Sequence, residues 1–135
     1  MNKEKIIEEI SKLGLNKDNF WVIGSASLVL RDIIDTANDI DLAMTSDEFL
    51  KLKERIDLIY LGEKYNVKWY KINDIIEFCI DQIDDGKVDS CNPFKLLNLK
   101  YYYDNFLKNS NREKDKEKKQ KVRNYLCNIN SKNKD

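Results

Sequence analysis

Apolar positions recur along the chain with two different periods, and the changes of period mark out its elements. Ile6, Ile7, Ile10 and Leu13 fall on one face of a helix over 3–13, with Gly14 placed to close it in the left-handed conformation. Phe20-Trp21-Val22-Ile23 is a short apolar run that stops at Gly24, as a buried strand would. Helical spacing returns from Ser25 to Ile34 through Leu28, Val29, Ile33 and Ile34. From Asn38 to Met44 polar and apolar residues alternate with the period of a strand. Thr45-Ser46-Asp47 then supplies N-cap chemistry to a helix over about 47–55.

Three further strands are predicted at Leu58–Leu61, Tyr65–Ile72 and Ile75–Ile80, with turns at Gly62-Glu63 and Asn73-Asp74. Asp84-Asp85-Gly86-Lys87 reads as another turn. Asn92 and Pro93 suit the N-cap and first position of a helix that runs, apolar nearly all round, from Phe94 to Leu107. Asn109-Ser110-Asn111 interrupts it, and a last helix follows over about 112–129 with Val122, Tyr125, Leu126 and Ile129 as its apolar stripe. The fold class is therefore α+β, in one domain spanning 1–135. A core over about 15–90 carries a mixed sheet of four or five strands with helices mainly on one side, and a helical extension covers about 92–130.

Composition narrows the chemistry. The 135 residues are 41% hydrophobic and 36% charged, with no net charge, enough apolar content for a real core. No apolar run is long enough to span a membrane, and the polar start Met1-Asn2-Lys3-Glu4-Lys5 lacks the form of a signal peptide. Cys79, Cys91 and Cys127 are odd in number and widely spaced, which argues against a disulfide framework and a zinc site and for reduced thiols in a cytoplasmic protein. Histidine is absent, so Ser-His-Asp and Cys-His catalysis are excluded. Charge is uneven: residues 1–107 hold 14 Lys and Arg against 20 Asp and Glu, while 108–134 hold 10 against 3. A solvated amphipathic helix accounts for that basic tail; attraction to nucleic acid or to nucleotide phosphate is the sharper reading.

Two local patterns carry candidate chemistry. In an extended chain Asp39 and Asp41 project to one side, with Ile40 turned to the core. Two such carboxylates repel one another, and a hard divalent cation with a preference for oxygen, Mg²⁺ or Mn²⁺, relieves them. The same pattern also describes an edge strand whose aspartates face water. Upstream, a strand that ends in Gly24-Ser25 and enters a helix offers backbone N–H groups and a hydroxyl to a phosphate, although Ser25 serves equally as an ordinary N-cap. The two patterns lie one helix apart, the placement that triphosphate chemistry needs.

Gly24-Ser25, thirteen intervening residues and then Asp39-Ile40-Asp41 resemble the signature of the nucleotidyltransferase superfamily. Over about 25 residues, Trp21 to Leu28 and Asn38 to Leu42 are similar in particular to small prokaryotic and phage members, the group that includes abortive-infection and toxin-type enzymes. The resemblance implies a nucleotidyltransferase-like fold and transfer of NMP from an NTP to an acceptor, with release of pyrophosphate. It also implies a third carboxylate from a later strand. Glu77, the lone acid inside Ile75-Ile76-Glu77-Phe78-Cys79, is the choice, with Asp74 and Asp81 as alternates and a solvent-facing Glu77 as the plain explanation. A weaker likeness at Pro93 to Lys100 and at Arg112-Glu113-Lys114-Asp115 implies that Lys100, Arg112 and Lys114 neutralise triphosphate charge. Tyr101-Tyr102-Tyr103 either packs the core or stacks a base.

The expected enzyme thus uses Asp39, Asp41 and Glu77 on metal and acceptor, and Gly24, Ser25 and Lys100 on phosphate. Its acceptor is an RNA end, a protein side chain or a small molecule, and the apolar 94–107 segment offers a surface for a homodimer. The rivals are a non-catalytic module on the same fold, such as a toxin–antitoxin component, and a nucleic-acid binder acting through the basic tail.

Overall fold

The computed structural model describes residues 1–132, with side chains described as far as 129. The elements run α1 (Lys3–Ser11), β1 (Phe20–Ile23), α2 (Gly24–Leu30), β2 (Ile40–Met44), α3 (Ser46–Arg55), β3 (Ile59–Lys64), β4 (Val67–Lys71), β5 (Ile76–Ile80), β6 (Val88–Asp89), β7 (Leu96–Leu97), α4 (Leu99–Tyr102) and α5 (Lys116–Lys132). A π-helical turn at Tyr103–Leu107 continues α4, and a 3₁₀ turn at Glu113–Asp115 leads into α5. The protein is α+β: among the described residues seven strands form one mixed sheet in the order β3-β4-β5-β2-β1-β7-β6. β2 is at its centre, parallel to β5 and antiparallel to β1.

Strand alternation sorts the side chains onto two faces, each closed by helices. One face carries Phe20, Val22, Ile40, Leu42, Met44, Ile76 and Phe78, packed under Ile6 and Ile10 of α1, Val29 of α2 and Leu52 of α3. The other carries Trp21, Ala43 and Cys79, packed under Leu99, Tyr102, Leu107 and Val122 of the C-terminal segment. The extension is therefore the second layer of the fold, and helices flank both sides of the sheet instead of mainly one. It also reaches into the sheet, because β7 pairs with β1 through Val22 and Leu96, and the Val22 N–H donates to the Lys95 carbonyl at 2.9 Å.

Several boundaries differ from the sequence expectations for local reasons. The helix over 25–34 ends at Leu30 because Asp32 turns left-handed at φ 62°. The Asp32 and Ile33 N–H groups then fold back onto the Val29 and Leu28 carbonyls, a Schellman ending. The turn expected at Gly62-Glu63 lies instead at Tyr65-Asn66, both with positive φ, and Gly62 absorbs a register irregularity inside β3. The helix expected over 94–107 starts only at Leu99. The Asn92–Pro93 bond is cis, Leu96-Leu97 is spent on covering the open edge of β1, and the N-cap is Asn98, whose Oδ1 accepts from the Tyr101 N–H at 2.9 Å. Most of the apolar side chains of 94–107 are consumed in the chain's own core, while Phe106 stays exposed. Exposed apolar residues gather on the edge strand β3, at Ile59, Tyr60 and Leu61. No helix among the described residues is long and apolar enough to cross a membrane.

One ion pair fastens the extension to α2. Arg31, its side chain 9% exposed, donates to Asp89 Oδ2 at 2.8 Å and to the Leu97 carbonyl at 2.9 Å. Asp89 Oδ1 meanwhile accepts from the Asn98 side chain at 3.0 Å, so β6, β7 and the α4 cap depend on one guanidinium. Replacing Arg31 by Met keeps the aliphatic bulk and strips both bonds. Urea unfolding of Arg31→Met should show a loss of about 2 kcal/mol with unchanged slope; a loss below about 0.5 kcal/mol would place the anchor elsewhere.

Candidate active site

Asp41 occupies the middle strand, with Ile23 of β1 beside it on one side and Glu77 of β5 directly in register on the other. The edge-strand explanation of the two aspartates is thereby removed for Asp41. Asp41 and Glu77 share a face with Ala43 and Cys79, and both acids are half-buried. Asp39 lies one residue before β2, in a bend, and is exposed. Burial pushes the Asp41 carboxyl up to about 6, and the negative charges of Asp39 and Glu77 push the same way, while Lys64 and Lys118 pull it down. On the same face, burial raises the Cys79 thiol to about 12, which leaves it an inert part of the floor.

The turn after β1 is shaped around this carboxylate. Gly24 has φ +65°, a conformation that favours glycine, and a Cβ placed on it would sit 3.2 Å from Asp41 Oδ2, close enough that the carboxylate would have to give way slightly. α2 starts at Gly24 without a side-chain cap; Ser27 bonds the Gly24 carbonyl at 2.6 Å, and Ser25 is left for another partner. That partner is the Lys118 ammonium, which donates to the Ser25 hydroxyl from 93 residues away. Because α2 has only seven residues, side-chain cations supply most of the local positive charge.

The sheet and the extension enclose an open cleft of about 1020 Å³. Its sheet wall presents Gly24, Ser25, Asp39, Asp41 and Glu77; its opposite wall presents Arg112, Lys114, Lys118 and Tyr102; Lys64 and Tyr65 enter from the β3–β4 hairpin. Four of the five residues proposed from sequence on phosphate or metal grounds in the core (Gly24, Ser25, Asp39, Asp41) thus meet with the fifth, Glu77. Asp81 also borders the cleft, whereas Asp74 projects away, 97% exposed and paired with Lys71 at 3.0 Å. Lys100 is not brought to the cleft: it is 78% exposed and pairs with Asp104 at 3.3 Å on the outer side of α4. Tyr102 is buried, its phenol raised by burial and then by Asp115 and Asp41, so the tyrosine run supplies both core and cleft wall.

Lys118 and Lys64 escaped the sequence reading. For Lys118 a signal existed: extending the Val122–Leu126 stripe back by one turn lands on Lys118, and by two on Asp115. Asp115, 7% exposed, accepts from the Ser110 hydroxyl at 2.6 Å and stands 3.8 Å from Arg112 and 3.9 Å from Lys118, so it orders the cationic wall. Elsewhere the basic tail is partly neutralised within the chain, with Lys116 on Glu113 and Lys121 on Glu117; its part from 130 onward lies outside the residues whose side chains are described.

Among the described residues no group of three or more His, Cys, Asp or Glu side chains is gathered to ligand distance. The donor chemistry nonetheless fits a hard divalent cation. Asp41 is half-buried beside two like charges, and the carboxylates of Asp39, Asp41 and Glu77 are hard oxygen donors of the kind such a cation prefers. No family model, curated protein or solved structure matches the chain.

Linkage makes the Asp41 geometry measurable. Its value of about 6 lies above the ordinary 3.8, so the folded chain retains a proton that the unfolded chain has already released. Stability therefore falls as pH rises through that window and stays lowered above it. Asp41→Asn should stabilise the metal-free protein by about 2–3 kcal/mol at pH 7.5, with the gain vanishing below about pH 4. A gain independent of pH, in thermal melts across pH 3.5–8, would show that Asp41 is not held against its charge.

Proposed function

We propose that this protein is a nucleotidyltransferase-like enzyme that transfers NMP from an NTP to an acceptor hydroxyl and releases pyrophosphate. The observation that carries the reading is the register of β2 on β5. It sets Asp41 against Glu77 beside the Gly24-Ser25 turn, across a cleft from a wall of lysine and arginine. Asp39, Asp41 and Glu77 would hold Mg²⁺ or Mn²⁺, which when bound neutralises phosphate charge and acts as a Lewis acid.

The chain's own residues divide the remaining work. Ser25 and Lys118 are the donors nearest the turn and bind the outgoing phosphates, with Arg112 and Lys114 adding charge along the same wall. Gly24 leaves room for the ligand to approach Asp41. The acceptor oxygen attacks the α-phosphorus, the bond to the bridging oxygen breaks, and pyrophosphate leaves. The acceptor proton passes to a carboxylate, because no histidine is present to take it. Glu77 positions the acceptor and is the residue assigned to that proton. RNA, protein and small-molecule acceptors all offer the required hydroxyl.

A second reading, a non-catalytic binding module or toxin–antitoxin component on the same fold, is favoured by one contact. Lys118 already satisfies the Ser25 hydroxyl, which would tie the turn to the extension permanently. Calorimetric titration with Mg²⁺ and ATP separates the two, since a module of that kind shows no metal-dependent nucleotide binding. For the enzyme, the Asp39→Asn, Asp41→Asn double variant should lose at least about a hundredfold in transfer of α-labelled nucleotide. A double variant as active as the parent would remove the catalytic assignment.

A further inference from the structure

The lip of the cleft is aromatic, and two distant parts of the chain build it. Tyr65, at the tip of the β3–β4 hairpin, meets Phe106, in the π-helical turn after α4, edge to face with ring centroids 5.5 Å apart. Phe106 lies 6.2 Å from the Tyr101 ring and 6.1 Å from that of Tyr102, and all four rings border the cleft. Rings so clustered usually withdraw from water, yet Tyr65 is 61% and Phe106 41% exposed.

Tyr65 is held there against its backbone preference. Its φ of 57° and the 65° of Asn66 are the two left-handed conformations that a two-residue hairpin demands. Asparagine or glycine adopts them readily; a bulky ring does not. The tip is nevertheless well fixed. The Trp69 indole donates to the Lys64 carbonyl at 3.0 Å, and the Lys64 ammonium stands 5.3 Å from the Tyr65 ring centre. In contact with it, Phe106 occupies a π-helical turn, a conformation that recurs at functional sites. Backbone strain of this kind clusters at active sites, ligand clamps and switch regions.

We propose that the joined Tyr65–Phe106 pair clamps the nucleobase of the triphosphate substrate against the cleft by offering it a stacking surface, an assignment that rests on the nucleotidyltransferase reading. The cleft combines Asp41, Glu77 and Lys118 around the Gly24-Ser25 turn with aromatic rings where the hairpin meets the turn after α4, and an NTP likewise combines a triphosphate with a base. Stacking on such rings tolerates any base, so the clamp confers affinity for nucleotides over bare polyphosphate more than discrimination among bases.

Both tryptophans of the chain, Trp21 and Trp69, line the cleft, so their fluorescence reports occupancy. Titrations with ATP and with inorganic triphosphate, each in Mg²⁺, test the clamp in the parent, in Tyr65→Asn and in Phe106→Leu. Asn relaxes the turn, so Tyr65→Asn should melt no lower than the parent, which separates lost binding from lost folding. The expected result is about tenfold to a hundredfold weaker ATP binding in both variants, with triphosphate binding unchanged. Equal ATP affinity in parent and variants, or an equal loss for triphosphate, overturns the clamp and leaves the phosphate site standing. A parent that binds neither ligand overturns the clamp and the nucleotidyltransferase reading together. A clamp that behaves as expected while the Asp39, Asp41 double variant transfers label normally overturns the catalytic assignment alone.

Discussion

The fold is arranged around a carboxylate that is costly to bury. Asp41 sits on the central strand, in register with a second acid and two residues beyond the exposed Asp39. Holding its carboxyl near 6 instead of 3.8 forgoes about 3 kcal/mol at neutral pH, a large share of the 5–15 kcal/mol that a domain of this size keeps in reserve. The surroundings make that tolerable. Ile40 and Leu42, the neighbours of Asp41 along β2, are fully buried on the opposite face, so a slip by one residue would drive the acid into that apolar core and turn them out into the cleft. Gly24 gives up its side chain to make room, and Lys64 and Lys118 lend positive charge.

The C-terminal segment is the counterpart of that acid face. It is anchored at one end by Leu96-Leu97 in the sheet and by the Arg31–Asp89 pair, and further along by Val122 and by Lys118 on Ser25. Without it Trp21, Ala43 and Cys79 would face water and Asp41 would be an ordinary surface carboxylate. The wall that completes the second core is thus also what creates the low-dielectric, cation-lined space above the acids.

Much of the sheet wall was legible from residue order, because strands are short and their chemistry local. Phe20–Ile23 announces itself by an unbroken apolar run, and Glu77 by being the one acid in an apolar strand; the parallel pairing that puts it opposite Asp41 is a long-range fact that no local pattern contains. Between residues 92 and 100 local rules misled. Asn92-Pro93 is good helix-start chemistry, but β1 needed a partner on its outer edge, and Leu96-Leu97 was worth more there than in another helical turn. Lys100 drew attention by standing among apolar residues, yet a helix as short as Leu99–Tyr102 has an outer side, and Lys100 is on it. Lys118 was hidden among lysines of equal standing until the docking of α5 through Val122 selected it. The turn at Tyr65-Asn66 was missed because tyrosine is a poor residue for it, and that mismatch is itself informative.

The separation of charge across the cleft bears on which ligands it suits. Acids line the sheet wall and bases the extension wall, so the two signs are apposed without being mutually cancelled: Asp41 stays raised despite Lys64 and Lys118. A simple anion would gain from the lysines and lose to the acids, and a simple cation the reverse. A ligand that brings a cation and several phosphates together satisfies both walls at once, and its organic end reaches a lip of aromatic rings. A metal-bound nucleoside triphosphate brings those three parts together, and that match supports the phosphate transfer we propose over plain polyanion or cation binding.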